Sequence, residues 1–407
     1  MFHYFKGNLS PGFISIYTAR MTLRISGALL GLFMPIFLYS LFDFELKFVI
    51  YYYLIGHLAY FLLVAYGASY LNRIGLRRSF RISIILGALY FVTFYFLEQQ
   101  SHVTNFGFGN NPIFILLVWN IIIITLHRIM YWIPLHTDLA KFTDKGNRAK
   151  QLSAIEATTL ALGAVGPVVA GWVLINYSYD VLFIIAVLVY LIALIPLIAL
   201  PRTKERFSWS YTETWKEFLS KKRRKTVFAF MGDGAEGVVG VIIWPLFIYE
   251  LLEGNLFEIG ALSSLIVFVT IFLQLGVGGF TDKHDKKKML HWGSAFYAIG
   301  WIVKIFIVTA FHIFIASAFH NLTKIFARTP FDAMSYDRAA DQGHYVDEYT
   351  VIHEMAVQLG KVISLAFVLL LIPFFEIQWI FVIAALASIT MNYLADDDLI
   401  EKGRHAG

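Results

Sequence analysis

Twelve long apolar runs follow one another along the sequence, and short charged segments separate them. A helix needs roughly 20 apolar residues to cross the hydrocarbon core of a bilayer, and the runs have about this length. Backbone polar groups in lipid must be satisfied within their own segment, so runs this long favour helices over barrel strands. The predicted spans are residues 14–41, 48–71, 80–98, 112–135, 153–176, 180–200, 226–250, 258–280, 290–310, 312–335, 350–373 and 376–395.

The composition agrees with an all-α polytopic membrane protein. Of the 407 residues, 58% are hydrophobic and 15% are charged, and the mean hydropathy is +0.66. Soluble domains are about 45–50% apolar and about 25% charged, so a soluble chain of this composition could not cover its surface with polar groups. The chain has no cysteine. Disulfides, thiol catalysis and cysteine metal sites are therefore excluded.

Basic residues are placed asymmetrically among the loops. The net charge of +5 and the run KKRRK at 221–225 are compatible with nucleic-acid binding. However, the loops after the even-numbered spans hold 21 Lys or Arg residues, whereas those after the odd-numbered spans hold Lys47 alone. By the positive-inside rule, the basic loops and both termini face the cytoplasm. We therefore expect a multi-pass protein of the cytoplasmic membrane that contacts lipid headgroups and binds no nucleic acid.

The two halves of the chain match each other at an offset of 210 residues. Residues 24–42 align with 234–252, which places Pro35 on Pro245 and Tyr39 on Tyr249. The same offset places the turn NRIGLRR at 72–78 on DKHDKKK at 282–288. A duplicated six-helix unit is typical of secondary transporters. The predicted domains are a six-helix bundle at 1–200, a cytoplasmic linker loop at 201–225, a second bundle at 226–395 and a tail at 396–407.

The paired turns carry a recognisable motif. The turn after span 8 fits the pattern G-x-x-x-D-(R/K)-x-G-(R/K)-(R/K) except at Asp285, which stands in place of the second glycine. The turn after span 2 is a weaker copy, in which an amide replaces the acid. The matching residues in the turn after span 8 are Gly278, Asp282, Lys283, Lys286 and Lys287. Those in the turn after span 2 are Asn72, Arg73, Gly75 and Arg77. On these residues the chain resembles the major facilitator superfamily over essentially its whole length. The resemblance implies 12 transmembrane helices in two pseudo-symmetric six-helix bundles, with each turn acting either as a cytoplasmic latch or only as a topology signal.

Span 5 carries a second motif of the same family, G-P-x-x-(G/A)-G. It is formed by Gly166, Pro167 and Gly171, with Gly163 one place away from the expected upstream position. The resemblance is to the twelve-helix members that exchange protons for an exported solute. In that family spans 1, 4, 7 and 10 line the central cavity, and an arginine in span 4 is a further shared feature, here Arg128.

Ionisable groups inside the spans are the candidate functional residues, because charges in lipid are costly unless they face a cavity or a partner. Asp233 and Glu236 share one face of span 7 and are the candidate proton carriers. Arg24, Arg128 and Lys324 are candidate ligands for an anionic group of the substrate. The alternative is an ion-pair network that only gates the cytoplasmic half. Further ionisable residues in the spans include His57, Lys304 and Arg328. The aromatic residues Tyr131, Trp132 and Trp244 are candidates for the cavity wall.

The sequence contains no motif that is typical of a catalytic site. The glycines at 276–279 end a helix and lack the strand that a nucleotide-binding loop requires. The histidines show no metal-ligand spacing, so we expect no cofactor, no metal and no enzymatic activity. The predicted partners are a small solute and protons, and we expect a monomer. The favoured function is proton-coupled efflux of a small amphiphilic or zwitterionic solute. Proton symport of an anionic metabolite and lipid flipping are the alternatives.

Overall fold

The structure is a computed structural model that describes residues 9–143, 148–202, 207–281, 285–341 and 346–395. Within these ranges all regular secondary structure is helical. The α-helices are α1 Pro11–Leu30, α2 Phe33–Leu41, α3 Leu46–Ile74, α4 Leu76–Ser101, α5 Pro112–Phe142, α6 Arg148–Asn176, α7 Tyr179–Ile198, α8 Tyr211–Phe218, α9 Arg224–Val238, α10 Trp244–Leu251, α11 Leu256–Thr281, α12 Lys286–Val303, α13 Ala310–Asp341, α14 Val346–Leu371 and α15 Phe381–Thr390.

Each of the twelve predicted spans coincides with a helical segment. Among the described residues, nine helices are long and apolar enough to cross a membrane, and the bent pair α1 and α2 makes a tenth. The other two predicted spans are α12 and α13. Helix α12 begins with three lysines at 286–288, and α13 carries Lys324, Arg328 and Asp332. Their charges place these two helices outside the apolar set, although the fold has a helix at both positions.

The offset of 210 residues is visible in the backbone. Helices α3 and α11 begin 210 residues apart, as do α4 and α12. The turn before α3 holds Asp43 and Phe44 at positive φ, and the turn before α11 holds Glu253 and Gly254 at positive φ. Left-handed backbone is uncommon for residues other than glycine, so its recurrence at matching positions supports the duplication independently of side-chain identity.

Spans 1 and 7 are both interrupted at matching positions. Helices α1 and α2 meet at an angle of 48° around Gly31. In span 7, the segment Val239–Ile243 is a π-helix, and the Trp244 N–H donates to the Val239 carbonyl. Pro245 follows directly and has no N–H to offer an α-helical bond, which favours such an irregularity. The bend and the π segment therefore place irregular backbone in the two helices that carry Arg24, Asp233 and Glu236.

Two compact units can be distinguished by their internal contacts. The first comprises residues up to Phe207 together with Leu252–Phe268. In it, α4 packs against α5 and α7, α1 packs against α6 and α7, and α3 packs against α5. Its core includes a cluster in which Phe37 contacts the rings of Phe94 and Phe183 at 5.7 and 5.1 Å between centroids.

The second unit comprises Ser208–Leu251 and the chain from Val269 onwards. Here α9 packs against α14 and α15, and α12 packs against α13 and α15. Trp301 is only 1% exposed and packs on Phe381 at 5.6 Å between ring centroids. The middle loop, expected as a linker, contains helix α8, which begins with a capping box between Ser210 and Glu213.

Candidate functional site

The first carboxylate of span 7 forms an ion pair. The guanidinium of Arg328 in α13 contacts both carboxylate oxygens of Asp233 in α9, the longer contact being Nη2 to Oδ2 at 3.4 Å. Asp233 is largely buried, with 11% of its side chain exposed. Arg328 also reaches Asp332, one turn further along α13, at 3.2 Å from Nε to Oδ1. Asp233 is therefore neutralised within its own unit.

The second carboxylate of span 7 has a different environment. Glu236 is buried and accepts a hydrogen bond of 2.5 Å from the Tyr297 hydroxyl of α12. The Glu236 Oε1 atom lies close to Gly240 in the π segment, 3.9 Å from where a Cβ would be placed there. No Lys or Arg of the described chain pairs with Glu236 within salt-bridge distance. Within the described residues, the Glu236 carboxyl is therefore held by a neutral phenol and not by an ion pair.

Lys304 lies in a box of aromatic rings near the Glu236 carboxyl. Its Nζ lies 3.8 Å from the ring centroid of Trp244 and 4.3 Å from that of Trp301. The residue is 3% exposed, and none of the described carboxylates pairs with it. Contacts of a cation with the faces of two indoles stabilise it by a cation–π attraction. Trp244, predicted as a cavity-wall residue, therefore contacts a cation of its own chain.

Two further residues of α13 lie against α12. The ring of His320 contacts Tyr297 and Trp301 at 4.8 and 4.6 Å between centroids. The Lys324 ammonium lies 5.9 Å from the ring centroid of Tyr297. The structure thus brings Glu236, Trp244 and Lys324 into one neighbourhood of the second unit. With Lys304, they form what we call the second-unit charge cluster.

Arg128 is the central cation of the first unit. It is half-buried in α5, and its Nη1 lies 3.5 Å from Nδ1 of His57 in α3. No carboxylate within the described part of the chain pairs with it. Arg128 lines a small recess whose other walls are mostly aromatic or aliphatic. We call it the tyrosine recess, and its remaining lining residues are Tyr52, Tyr53, Gly56, Tyr90, Ile121 and Ile124.

A buried polar network holds the recess in shape. The Tyr52 hydroxyl donates to Oδ1 of Asn120 at 2.5 Å, and the Asn120 amide donates to the Tyr90 carbonyl at 3.2 Å. The same amide contacts the Thr93 hydroxyl. Asn120 is fully buried, and satisfied networks of this kind fix side-chain positions. Arg128 therefore projects into a recess with rigid walls.

Arg24 and the aromatic residues of span 4 lie elsewhere in the first unit. Arg24 is half-buried in α1, within electrostatic range of Tyr131, Tyr190 and Glu156. Tyr131 is 9% exposed and belongs to the hydrophobic core, stacked on His127 at 5.3 Å between ring centroids. Trp132 packs at the edge of the same core and stacks on His136.

In the first basic turn, the side chain of Asn72 forms hydrogen bonds with the backbone of the middle loop. The Asn72 amide nitrogen donates to the Phe207 carbonyl at 2.6 Å, and the Phe207 N–H donates to the Asn72 side-chain oxygen at 2.9 Å. Gly75 separates α3 from α4 at φ +83°, a conformation that glycine adopts without strain. Arg77 donates to the Leu200 carbonyl at 3.2 Å, whereas Arg73 is exposed.

The second basic turn is described only in part. Gly278 lies in α11, and Asp282 and Lys283 lie outside the described residues. Lys286 and Lys287 begin α12, where Asp285 caps the helix by accepting from the Lys288 N–H at 2.9 Å. This hydrogen bond lowers the pKa of Asp285 below its ordinary value. The latch role predicted for these turns stays a prediction.

The span-5 motif lies at close helix contacts. A Cβ added at Gly166 would lie 2.5 Å from the Ala28 Cβ of α1, and one at Gly171 would lie 2.7 Å from the Leu256 carbonyl oxygen at the start of α11. A Cβ added at Gly260 would lie 2.2 Å from the Pro167 carbonyl oxygen. Gly163 differs, because a Cβ there would meet nothing closer than Val267 at 3.5 Å. Small residues at these positions let the helix backbones touch.

Sequence reasoning missed several contacts in and around the second-unit charge cluster. Lys304 and Arg328 were noted as charges within spans, but their partners on neighbouring helices were not predicted. Tyr297, Trp301 and His320 were not selected at all. A signal was present in the spacing. Residues 297 and 301 share one face of α12 and residue 304 follows directly after its end, and residues 320, 324 and 328 share one face of α13.

Within the described residues, the helices that are long and apolar enough to cross a membrane define a multi-pass membrane protein. The family model described as Major Facilitator Superfamily matches residues 16–232 and 226–398. The chain therefore belongs to the major facilitator superfamily.

Two solved structures show the same fold. The chain is similar to a peptide transporter POT in complex with sulfate, with a TM-score of 0.67, 11% identity, and coverage of 97% of this chain and 95% of that chain. A Glu-to-Gln mutant of peptide transporter POT, also with sulfate, gives a TM-score of 0.65 at 10% identity, again with coverage of 97% and 95%. At such identities the likeness concerns the fold alone. The comparison with curated protein sequences returned no match.

Proposed function

We propose that this transporter moves a small amphiphilic or zwitterionic solute across the cytoplasmic membrane by alternating access, and that Arg128 binds the anionic group of that solute. The observation that carries the proposal is the environment of Arg128. Its guanidinium is half-buried within a span, it lines the tyrosine recess, and no carboxylate of the described residues pairs with it.

The physical argument concerns the cost of that charge. An ionised side chain inside a span costs about 2.5–3.5 kcal/mol on insertion scales unless a partner or water offsets the cost. A guanidinium presents planar, paired donors that match a carboxylate or phosphate group. The phenol rings of Tyr52, Tyr53 and Tyr90 add aromatic surface for an apolar part of the same ligand. A solute with both features fits the recess.

Glu236 is the proposed proton carrier. Of the two carboxylates in span 7, Asp233 is held by Arg328, so protonating it would break an ion pair. Glu236 accepts only from a neutral phenol among its described contacts. A proton can therefore be added to Glu236 or removed from it with smaller changes in the surrounding structure. The efflux direction is supported by the resemblance of the span-5 motif to that of proton-coupled exporters.

Symport of an anionic metabolite is the second candidate. Arg128, Lys304 and Lys324 are all cations within spans that no described carboxylate pairs with. This excess of positive charge favours an anion over a cation as the transported species. The two candidates differ in the direction of transport relative to the proton gradient, and they share Arg128 as the ligand for the anion.

The first experiment is a thermal-stabilisation screen of the detergent-purified protein. Aromatic carboxylates, zwitterionic amino acids and lipophilic cations are each paired with an uncharged amide or alcohol of similar shape. A ligand at 100 times its dissociation constant adds about 2.7 kcal/mol to the folded state. We expect carboxylate-bearing compounds to stabilise the wild type, and Arg128→Gln to weaken their binding by at least about tenfold.

Matched controls separate the charge from its geometry. Arg128→Lys keeps a positive charge without the paired donors and should recover only part of the affinity. Lys47→Gln removes an exposed charge and should change nothing. If anions bind Arg128→Gln as tightly as the wild type, the proposed role of Arg128 is wrong. Transport in proteoliposomes under opposite pH gradients then assigns the direction, and Glu236→Gln should remove its dependence on the gradient.

A further inference from the structure

The aromatic box around Lys304 is built like a recognition site for an ammonium group. The two indoles contact the ammonium at 3.8 and 4.3 Å, well inside the distance of roughly 6 Å at which cation–π attraction acts. Phe381 is fully buried and packs on both Trp244 and Trp301, at 5.8 and 5.6 Å between ring centroids. The rings are therefore held in place by the core rather than by the lysine alone.

A lysine side chain is itself an alkylammonium, with a four-carbon stem and a terminal cation. The stabilisation of Lys304 comes from aromatic faces, because none of the described carboxylates pairs with it. A lysine that left an ion pair would expose an uncompensated carboxylate, which is costly. Leaving the box exposes only indole faces. The ammonium of Lys304 can therefore be replaced by another cation at lower cost.

Access and charge also favour such an exchange. Trp244 is half-buried, so one wall of the box is partly open. It directly follows the π segment Val239–Ile243, a kind of irregularity that is frequent at functional sites. Glu236 lies nearby: its Oε1 atom and the Trp301 ring lie 3.9 and 3.6 Å from the Cβ position of Gly240. A negative charge at Glu236 would attract a cation to the box.

We infer that Trp244 and Trp301 form a binding subsite for the ammonium group of an alkylammonium ligand, and that Lys304 fills this subsite in the structure described. The subsite would accept the cationic part of a zwitterionic solute. In that respect the inference rests on the proposed function. Binding of an ammonium compound to the box is a separate property and can be measured without transport.

The test uses choline and its uncharged isostere dimethylbutanol as probes of the full-length protein in detergent. In the wild type, Lys304 competes with choline for the indoles. Lys304→Met removes the competing cation, so we expect it to bind choline at least about tenfold more tightly, since occupancy of a site by its own chain lowers the apparent affinity in proportion. Dimethylbutanol should gain much less, because it has the shape of choline without the charge.

Tryptophan variants test the walls of the box. In the Lys304→Met background, Trp301→Leu should reduce choline affinity about tenfold or more, whereas Trp292→Leu should leave it unchanged. Trp292 is the matched control because it lies on the same helix and is 69% exposed. If Lys304→Met does not fold, Lys304→Gln takes its place. Independently, Trp244→Leu in the wild-type background should weaken the choline binding that the wild type shows.

The outcomes separate the inference from the proposed function. Choline binding that survives Arg128→Gln, and is lost with Trp301→Leu, supports the ammonium subsite whether or not Arg128 binds anions. Equal gains for choline and dimethylbutanol in Lys304→Met would mean an apolar pocket and would overturn the inference. So would a Lys304 variant that is folded and binds choline no better than the wild type.

Discussion

Arg328 contacts both carboxylate oxygens of Asp233, which joins α13 to α9 by a two-point ion pair. Asp233 is 11% exposed and Arg328 is 38% exposed, so the pair is shielded from water mainly on the acidic side. The two carboxylates of span 7 therefore have different partners. Asp233 contacts a guanidinium, whereas Glu236 accepts a hydrogen bond from the Tyr297 hydroxyl.

Breaking this ion pair should destabilise the protein. We expect Asp233→Asn to lower the free energy of unfolding by about 3 kcal/mol, at the low end of the range for buried pairs because Arg328 is partly exposed. Arg328→Gln should have a similar effect, since it removes the guanidinium that contacts the buried Asp233 carboxylate. The double variant should cost clearly less than the sum of the two, with a coupling of about 1–3 kcal/mol. Thermal unfolding in detergent measures all three variants. Additive losses would mean that the two side chains do not depend on each other.

The hydrogen bond between Tyr297 and Glu236 can be tested in the same way. Tyr297→Phe removes the hydroxyl that Glu236 accepts from and leaves a buried carboxyl oxygen without its donor. We expect a loss of about 1–3 kcal/mol of unfolding free energy. The loss should be smaller in a Glu236→Leu background, because no buried polar atom then remains unsatisfied. If Tyr297→Phe costs the same in both backgrounds, the hydroxyl acts through some other contact. Tyr393→Phe serves as the comparison, because the Tyr393 ring is 46% exposed and packs on Phe228.

The sequence predicted the helices and their duplication well, because both depend on patterns along one chain. Apolar length located every span, and the shared offset that aligns Pro35 with Pro245 indicated the duplication. Partners across helices were harder to predict. Lys304 was recognisable as a charge in lipid, but its contacts with Trp244 and Trp301 depend on how α10 and α12 pack. His320 and Tyr297 resemble ordinary packing residues until the structure places them beside charges.

Asn72 shows why a departure from a family motif can be informative. The motif has an acid at this position, which would accept the Phe207 N–H but could not donate to the Phe207 carbonyl. We expect Asn72→Asp to release the middle loop at Phe207, with about tenfold faster hydrogen exchange at that amide, corresponding to the loss of one net hydrogen bond. Exchange followed by mass spectrometry of the peptide containing Phe207 measures this. Asn72→Ala should behave similarly, and Arg73→Ala, at the exposed neighbouring position, should not. Unchanged exchange in Asn72→Asp would show that the loop is held by other contacts.

The span-5 motif gives the sharpest internal comparison, because its glycines differ in the space around them. Gly166→Ala would place a methyl group 2.5 Å from the Cβ of Ala28, and Gly171→Ala would place one 2.7 Å from the Leu256 carbonyl oxygen. Neither neighbour is the end of a flexible side chain, so the helices must move apart. We expect each substitution to cost about 1–3 kcal/mol of unfolding free energy.

Gly163→Ala is the matched control within the same helix, because its methyl group would meet Val267 at an ordinary contact distance of 3.5 Å. Alanine also favours a helix over glycine by up to about 1 kcal/mol, so Gly163→Ala should be neutral or slightly stabilising. Unfolding temperatures of the three variants in one detergent decide the matter. If all three substitutions lower the unfolding temperature equally, the motif glycines matter for the flexibility of α6 and the close contacts are not the cause. If only the substitutions at 166 and 171 lower it, the glycines allow the close approach of α6 to α1 and to the start of α11.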